Sequence, residues 1–226
     1  MYQCCIFDLD GTIINTIESL AYTVSVTMEE LGYGPIDEEH TKVFVGDGYK
    51  KLIERSLLYW GDIELKHYER ALEIYNRNFA QYCLYKISPY KGMKEFLQLL
   101  KNRKIKLAVV TNKAYDRAVE CVERVYGKNF FDAILGDGMG YPCKPDPAGV
   151  FSIMNQLGVK PEECLYFGDT NTDMETGKNA GLDTVGVTWG FRTREELEHF
   201  APKYVIDSPK EAESLFLSAE NKAVRE

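Results

Sequence analysis

Short apolar runs recur along the chain at Gln3 to Asp8, Lys106 to Thr111, Ala133 to Leu135, Cys164 to Gly168, Thr184 to Val187 and Tyr204 to Ile206. Their length and their β-branched and aromatic content predict strands. Other stretches return an apolar residue every three or four positions, at Met93 to Leu100, Ala114 to Val125, Pro147 to Leu157, Thr172 to Ala180 and Pro209 to Leu217. The alternation of the two patterns predicts an α/β protein, a Rossmann-like doubly wound parallel sheet with helices on both faces. The runs at 106–111 and 164–168 are apolar nearly throughout, as strands covered on both faces are.

One block breaks the alternation. Between Asn15 and Ile87 only helical patterns occur, at Ser19 to Leu31, Glu38 to Val45, Tyr49 to Tyr59 and Leu65 to Tyr82. Breakers at Gly32 to Pro35, Gly46 to Gly48 and Gly61-Asp62 separate them. A strandless block in this position predicts an inserted α-helical domain over residues 15–87, with linkers near Asn15-Thr16 and Ser88 to Tyr90. The remaining segments, 1–14 and 88–226, then form the sheet domain. Residues 218–226 are polar and charged and read as a frayed tail.

Composition narrows the classes. With 226 residues, 45% hydrophobic and 27% charged, the chain has the material for a sizeable globular core. A formal net charge of -8 disfavours nucleic-acid backbones and anionic membrane surfaces as partners. No apolar run approaches the ~18 residues of a membrane span. The amino-terminal segment lacks the basic stretch of a signal peptide, so a cytoplasmic location is expected. Cys4 and Cys5 are adjacent, while Cys83, Cys121, Cys143 and Cys164 are scattered, with no CxxC pair. That spacing reads as reduced, mostly buried thiols. Three histidines in polar, helix-like contexts and no GxSxG elbow argue against a Ser-His-Asp hydrolase.

Polar groups cluster at predicted strand ends. The first strand runs into Asp8, and Asp10 follows two residues on, a spacing that puts both side chains on one face past the carboxyl edge of the sheet. That edge is where open α/β sheets bind ligands. Gly11 permits a sharp turn there. Thr111-Asn112 follows the second long strand, Lys144-Pro145 follows the third, and Asp169 with Asp173 follows the fourth. Singly, each has an ordinary explanation: an Asp-Gly turn, a helix cap, a solvated lysine, acids at a helix start. Four strand ends carrying complementary groups together point to one site.

Two or three carboxylates at one point repel, and a hard divalent cation relieves the repulsion. Mg²⁺ suits an oxygen-only set that also admits phosphate. One carboxylate can attack phosphorus, and a second can protonate the leaving alkoxide and later activate water. Thr111 and Lys144 are placed to hold phosphoryl oxygens. The chemistry is phosphoryl transfer.

Through Asp8 to Thr12, Thr111-Asn112, Lys144 to Pro147 and Gly168 to Asp173, the chain resembles the haloacid dehalogenase superfamily of phosphohydrolases, a match running its whole length. The resemblance implies Asp8 as nucleophile and Asp10 as general acid/base. It implies Mg²⁺ held by Asp8, the backbone carbonyl of Asp10 and Asp169, with Asp173 as an additional or more distant ligand. Phosphate contacts at Thr111 and Lys144 and at the backbone amides of Leu9 and Asn112 follow from it, and the helical insert corresponds to the family's cap. Within the superfamily the segment Phe44 to Arg55, with its Gly46-Asp47-Gly48 loop, and the segments Gly186 to Phe191 and Ala201 to Ser208 resemble phosphoglycolate phosphatases. Asn15 departs from the acidic residue common at that hinge.

The expected function is therefore Mg²⁺-dependent hydrolysis of a small phosphorylated metabolite by a monomer or homodimer. Gly46, Asp47 and Gly48 are expected to face the phosphate, with Tyr49 and Lys50 or Lys51 near the rest of the substrate. Pyrophosphatase, sugar or nucleotide phosphatase and phosphomutase chemistry stay open on the same scaffold. A phosphonatase would need a cap lysine, for which Lys42, Lys50 and Lys51 are candidates. A non-catalytic phosphate-binding module would have shed one of the ionisable groups, and all are present.

Overall fold

The computed structural model describes residues 2–217, so the tail expected at 218–226 lies outside the described residues. The chain begins with β1 (Cys4–Phe7) and β2 (Ile14–Asn15), then enters four helices, α1 (Ile17–Glu30), α2 (Glu38–Phe44), α3 (Tyr49–Tyr59) and α4 (Tyr68–Tyr82). It returns through β3 (Ser88–Pro89) to α5 (Met93–Asn102), β4 (Lys106–Ala114), α6 (Tyr115–Tyr126), β5 (Ala133–Asp137) and α7 (Ala148–Leu157). A short 3-10 turn leads into β6 (Cys164–Gly168), α8 (Asn171–Asn179), β7 (Asp183–Val187), α9 (Arg194–Glu198), β8 (Tyr204–Ile206) and α10 (Pro209–Leu217).

Six strands form one parallel sheet in the order β5-β4-β1-β6-β7-β8. The period of two along each strand builds the two cores. Cys5, Phe7, Leu107, Val109, Leu165 and Phe167 face a core shared with α5, α6 and α10. Cys4, Ile6, Ala108, Val110 and Tyr166 face the other, with Val150, Ile153 and Met154 of α7. The chain leaves central β1 toward β4 and β5, then comes back on the opposite side as β6. That reversal puts the ends of β1, β4 and β6 side by side at a topological switch point.

The helices α1 to α4 have an apolar core of their own, including Val24 and Met28 of α1, Leu52, Ile53 and Leu57 of α3, and Ala71, Tyr75 and Phe79 of α4. Both crossings into this block are strands. β2 and β3 pair antiparallel, Ile14 with Pro89 and Asn15 with Ser88. No strand was expected there, because two residues are too few to show a period. Helix α4 starts at Tyr68, three residues after the expected Leu65. The Asp62 carboxylate accepts the Lys66 and His67 N–H groups and holds this stretch in a turn, with Leu65 at φ 52°. Strand β4 runs on to Ala114, beyond the expected Thr111, with consequences for the site. Helix α9, unforeseen, is held by a capping box between Thr193 and Glu196. No helix among the described residues is long and apolar enough to cross a membrane. All six cysteines are free thiols, and all but Cys143 are buried.

Candidate active site

Asp8 lies just past β1, its backbone N–H continuing the ladder to the Phe167 carbonyl at 2.9 Å. Its Oδ1 accepts a hydrogen bond from Lys144 Nζ at 2.6 Å, and the same ammonium donates to Asp173 Oδ1 at 2.7 Å. Asp173 is the third residue of α8, where it completes a capping box. Its Oδ2 accepts from the Thr170 N–H at 3.0 Å and hydroxyl at 2.7 Å. Asp169, just past β6, accepts from the Thr12 hydroxyl at 2.8 Å and from the Phe191 N–H at 2.9 Å. One oxygen from each of Asp8, Asp169 and Asp173 lies within 4.8 Å of the others, and all three residues are buried.

Glycines make the space for this crowding. A Cβ on Gly11, whose φ is +89°, would sit 2.2 Å from Asp169 Oδ2, and one on Gly190 would sit 2.3 Å from Asp169 Cβ. A Cβ on Gly168 would fall 2.1 Å from that of Asp173. The expected Asp-Gly turn at Gly11 is thus also a cradle for a carboxylate from another strand.

The electrostatics follow from burial. Desolvation lifts the Asp8 carboxyl from its ordinary 3.8 to about 7, against the pull of Lys144 and with the Asp173 charge adding to the rise. Burial likewise pushes Asp169 well above the usual carboxylate range, helped by the charges of Asp173 and Asp8. For Lys144 burial disfavours the charge, but the carboxylates of Asp173 and Asp8 outweigh it and hold the ammonium firmly protonated. Three buried carboxylates thus lie near one buried ammonium, which bonds two of them, Asp8 and Asp173. An oxygen-only set with uncompensated negative charge fits a hard divalent cation.

Asn112 acts through its side chain as well as its position. Its Oδ1 accepts the Lys144 N–H at 2.7 Å, while its Nδ2 donates to the carbonyls of Lys144 and Gly46, each at 3.2 Å. It braces the loop carrying Lys144 and ties it to the turn before α3. Thr111 lines the same space as Asp8 and Asp10.

Lys113 was not anticipated. Its Nζ donates to both oxygens of Asp10, at 2.8 and 3.1 Å, and lies over the Phe79 ring at 4.8 Å from the centroid. The signal was available: Thr111 and Lys113 are two apart, and on an extended strand they share a face. Ending β4 at Thr111 hid it. Gly190 and Phe191, which shape the surroundings of Asp169, carried no chemical signal of their own in the sequence.

These groups open into a cavity of about 260 Å³ between the sheet edge and the helical block. Asp8, Asp10, Thr111, Asn112 and Lys113 line one end, and Gly46, Gly48 and Tyr49 approach from the block. Asp47 points elsewhere. Its carboxylate accepts from the Thr172 hydroxyl at 2.6 Å and pairs with Arg55 at 2.5 Å, so it anchors the turn to α8. Arg192 adds a second tie by donating to the Val45 carbonyl at 2.9 Å. Lys42, Lys50 and Lys51 are not among the lining residues, and Lys42 and Lys51 pair with Glu39 and Glu54, each at 2.7 Å. Among the described residues the cations that do line the cavity are Lys113 and Arg117, both outside the helical block.

A family model for haloacid dehalogenase-like hydrolases matches residues 5–187. A phosphoglycolate phosphatase of Pseudomonas putida is 31% identical over 204 residues, covering 89% of this chain and 75% of that protein. The phosphoglycolate phosphatase of Aquifex aeolicus is 29% identical over 206 residues, covering 91% and 92%. Among solved structures, a protein of Lactobacillus delbrueckii subsp. bulgaricus, provisionally assigned as a phosphoglycolate phosphatase, superposes with a TM-score of 0.89. It is 28% identical and covers 95% of this chain and 98% of its own.

Proposed function

Since the chain belongs to the haloacid dehalogenase-like hydrolases, we propose that it is a Mg²⁺-dependent phosphomonoesterase of the phosphoglycolate phosphatase type that works through an aspartyl-phosphate on Asp8. One observation carries the reading: Asp8, Asp10, Thr111 and Asn112 converge on one cavity, and Asp8, Asp169 and Asp173 form a buried carboxylate set beside it. The relatives' activity makes 2-phosphoglycolate the first substrate to try.

In this mechanism Lys144 holds Asp8 Oδ1, so Oδ2 attacks the phosphorus of the bound monoester. The bond from phosphorus to the leaving oxygen breaks as Asp10, in its protonated form, gives that oxygen its proton. Asp10, now a carboxylate, takes a proton from water, whose oxygen attacks the same phosphorus. Cleavage of the phosphorus–Oδ2 bond frees inorganic phosphate and restores the Asp8 carboxylate. Thr111, the Leu9 and Asn112 amides and Lys144 orient the phosphoryl oxygens. Asp8, Asp169 and the Asp10 carbonyl would hold Mg²⁺, with Asp173 fixing Lys144 beside them, and the ion would supply positive charge that keeps Asp8 ionised and offsets the phosphoryl charge.

Residues 15–87 serve as a cap in this reading, their 46–48 turn held against the site by Asn112, Thr172 and Arg192. A cytoplasmic monomer or homodimer without nucleic-acid or membrane partners completes it. The test is chemical trapping. Wild-type protein with Mg²⁺ should release phosphate from 2-phosphoglycolate and yield an acyl-phosphate that hydroxylamine intercepts. Asp8→Asn should do neither, and turnover by that variant would overturn the assignment of the nucleophile.

A further inference from the structure

Resting on the phosphomonoesterase reading but departing from the substrate of the relatives, we infer that the preferred alcohol half carries an apolar, ring-sized body and not a bare carboxylate. The cavity has room beyond a two-carbon leaving group. At about 260 Å³ it exceeds the ~150 Å³ of a dry apolar cavity that accepts benzene, leaving about 110 Å³ for the phosphoryl group and its ion.

Its walls divide by chemistry. The charged groups sit at the sheet edge, whereas the helical block lines its side with Leu20, Leu52, Tyr49, Tyr75 and Phe79, and Phe191 closes in from beyond β7. Tyr49, Tyr75 and Phe79 form one near-parallel column, with centroids 5.9 and 5.3 Å apart and planes within 15°. Such a column presents ring faces and edges, and Tyr49 and Tyr75 carry hydroxyls but no charge. Among the described residues the block adds no cation to the lining; Asn76 and the hydroxyls of Tyr49 and Tyr75 are its polar side-chain groups.

A carboxylate on the substrate would therefore lose its water against apolar surface, which is costly unless a cation compensates. The two lining cations are already engaged, Lys113 by Asp10 at 2.8 Å and Arg117 by Glu120 at 2.6 Å. Drawing Lys113 away would strip the partner from the group that protonates the leaving oxygen. An apolar ring incurs no such conflict, and burying it is worth about one to two powers of ten in affinity.

Benzyl phosphate and 2-phosphoglycolate decide the matter, because both release a CH₂–O leaving group and differ in bearing a phenyl ring or a carboxylate. Wild-type protein with saturating Mg²⁺ should show a kcat/KM at least about tenfold higher for benzyl phosphate. Leu20→Gln, which puts an amide into the apolar wall, should lower the ratio of the two by about tenfold. A wild-type ratio below tenfold or inverted overturns the inference and leaves the phosphomonoesterase reading standing. Turnover of neither ester would instead sink the reading. In that event, calorimetric affinities of Asp8→Asn protein for the two esters still judge the subsite: equal or tighter binding of 2-phosphoglycolate overturns it, and tighter binding of benzyl phosphate upholds it.

Discussion

Removing the charge of Asp8 should stabilise the metal-free protein. Burial raises this carboxyl from 3.8 to about 7. At pH 8 the folded chain therefore carries an ionised group that costs about 4 kcal/mol more than in the unfolded chain, at ~1.36 kcal/mol per tenfold change in acidity. Asn keeps the size and an oxygen to accept from Lys144. The ammonium also keeps Asp173 at 2.7 Å, so no buried cation is orphaned. A folded state that is the weaker acid binds more protons than the unfolded state between about pH 4 and pH 7. Wild-type stability falls as pH rises through that window, and the penalty is complete above it.

The advantage of Asp8→Asn should accordingly be largest at pH 8 and disappear toward pH 4. For a chain of this size each kcal/mol shifts the melting temperature by roughly 2–4 °C, so the variant should melt about 10 °C above wild type. Thermal melts in excess chelator at pH 8, 6 and 4.5 measure this directly. Adding Mg²⁺ at pH 8 should then raise wild type more than the variant, because the cation relieves in wild type what the substitution has removed. A variant less stable than wild type at pH 8 in chelator would refute the reasoning, as would an advantage that ignores pH.

Gly190→Ala places a methyl 2.3–2.5 Å from three atoms of Asp169, forcing a shift of about 1 Å, and should cost roughly 100-fold in kcat with a raised Mg²⁺ requirement. Gly186→Ala, whose new Cβ meets nothing nearer than 3.4 Å, is the control; equal effects would deny the cradle. Lys113→Met keeps the stem but frees Asp10, and should lower kcat about 10- to 100-fold while KM changes less than threefold, with partial rescue by Lys113→Arg. A change confined to KM would make Lys113 a substrate contact. Asp47→Ala cuts the tie to Thr172 and Arg55 and should raise KM several-fold with kcat nearly kept, and a dominant loss of kcat in steady-state assays would contradict an anchoring role.

Much of the site could be read from the chain because its groups obey a local rule. Asp8, Thr111 and Asp169 each terminate a buried apolar run, and a parallel sheet delivers all such ends to one edge. Nothing about distant packing is needed for that inference. The partners of those groups are different in kind. Gly190 matters because its missing side chain leaves room for Asp169, a residue 21 positions away, and the same glycine elsewhere would be a plain loop residue. β2 and β3 are legible only once the two crossings into the helical block are seen to lie side by side.

For the lysines of the helical block, closeness along the chain misleads although the needed pattern is present. Tyr49, Lys50 and Lys51 follow Gly48 in the chain, and by that closeness all three are candidates for the substrate's non-phosphate end. On a helix, adjacency along the chain separates side chains by about 100°, and residues three or four apart share a face. Leu52, Ile53, Ser56 and Leu57 are the buried residues of α3, and Tyr49 precedes Leu52 by three and Ile53 by four. Tyr49 therefore joins that stripe and reaches the cavity, whereas Lys50 and Lys51 are turned off it. Applied to the block as a whole, the same rule sends Tyr75 and Phe79, four apart on α4, to the wall that α3 faces. The helical block's contribution to the cavity is largely aromatic because the face that packs its helices together is also the face that continues into the site. A charge on that face would have to be buried in the block's own core, at a cost in stability.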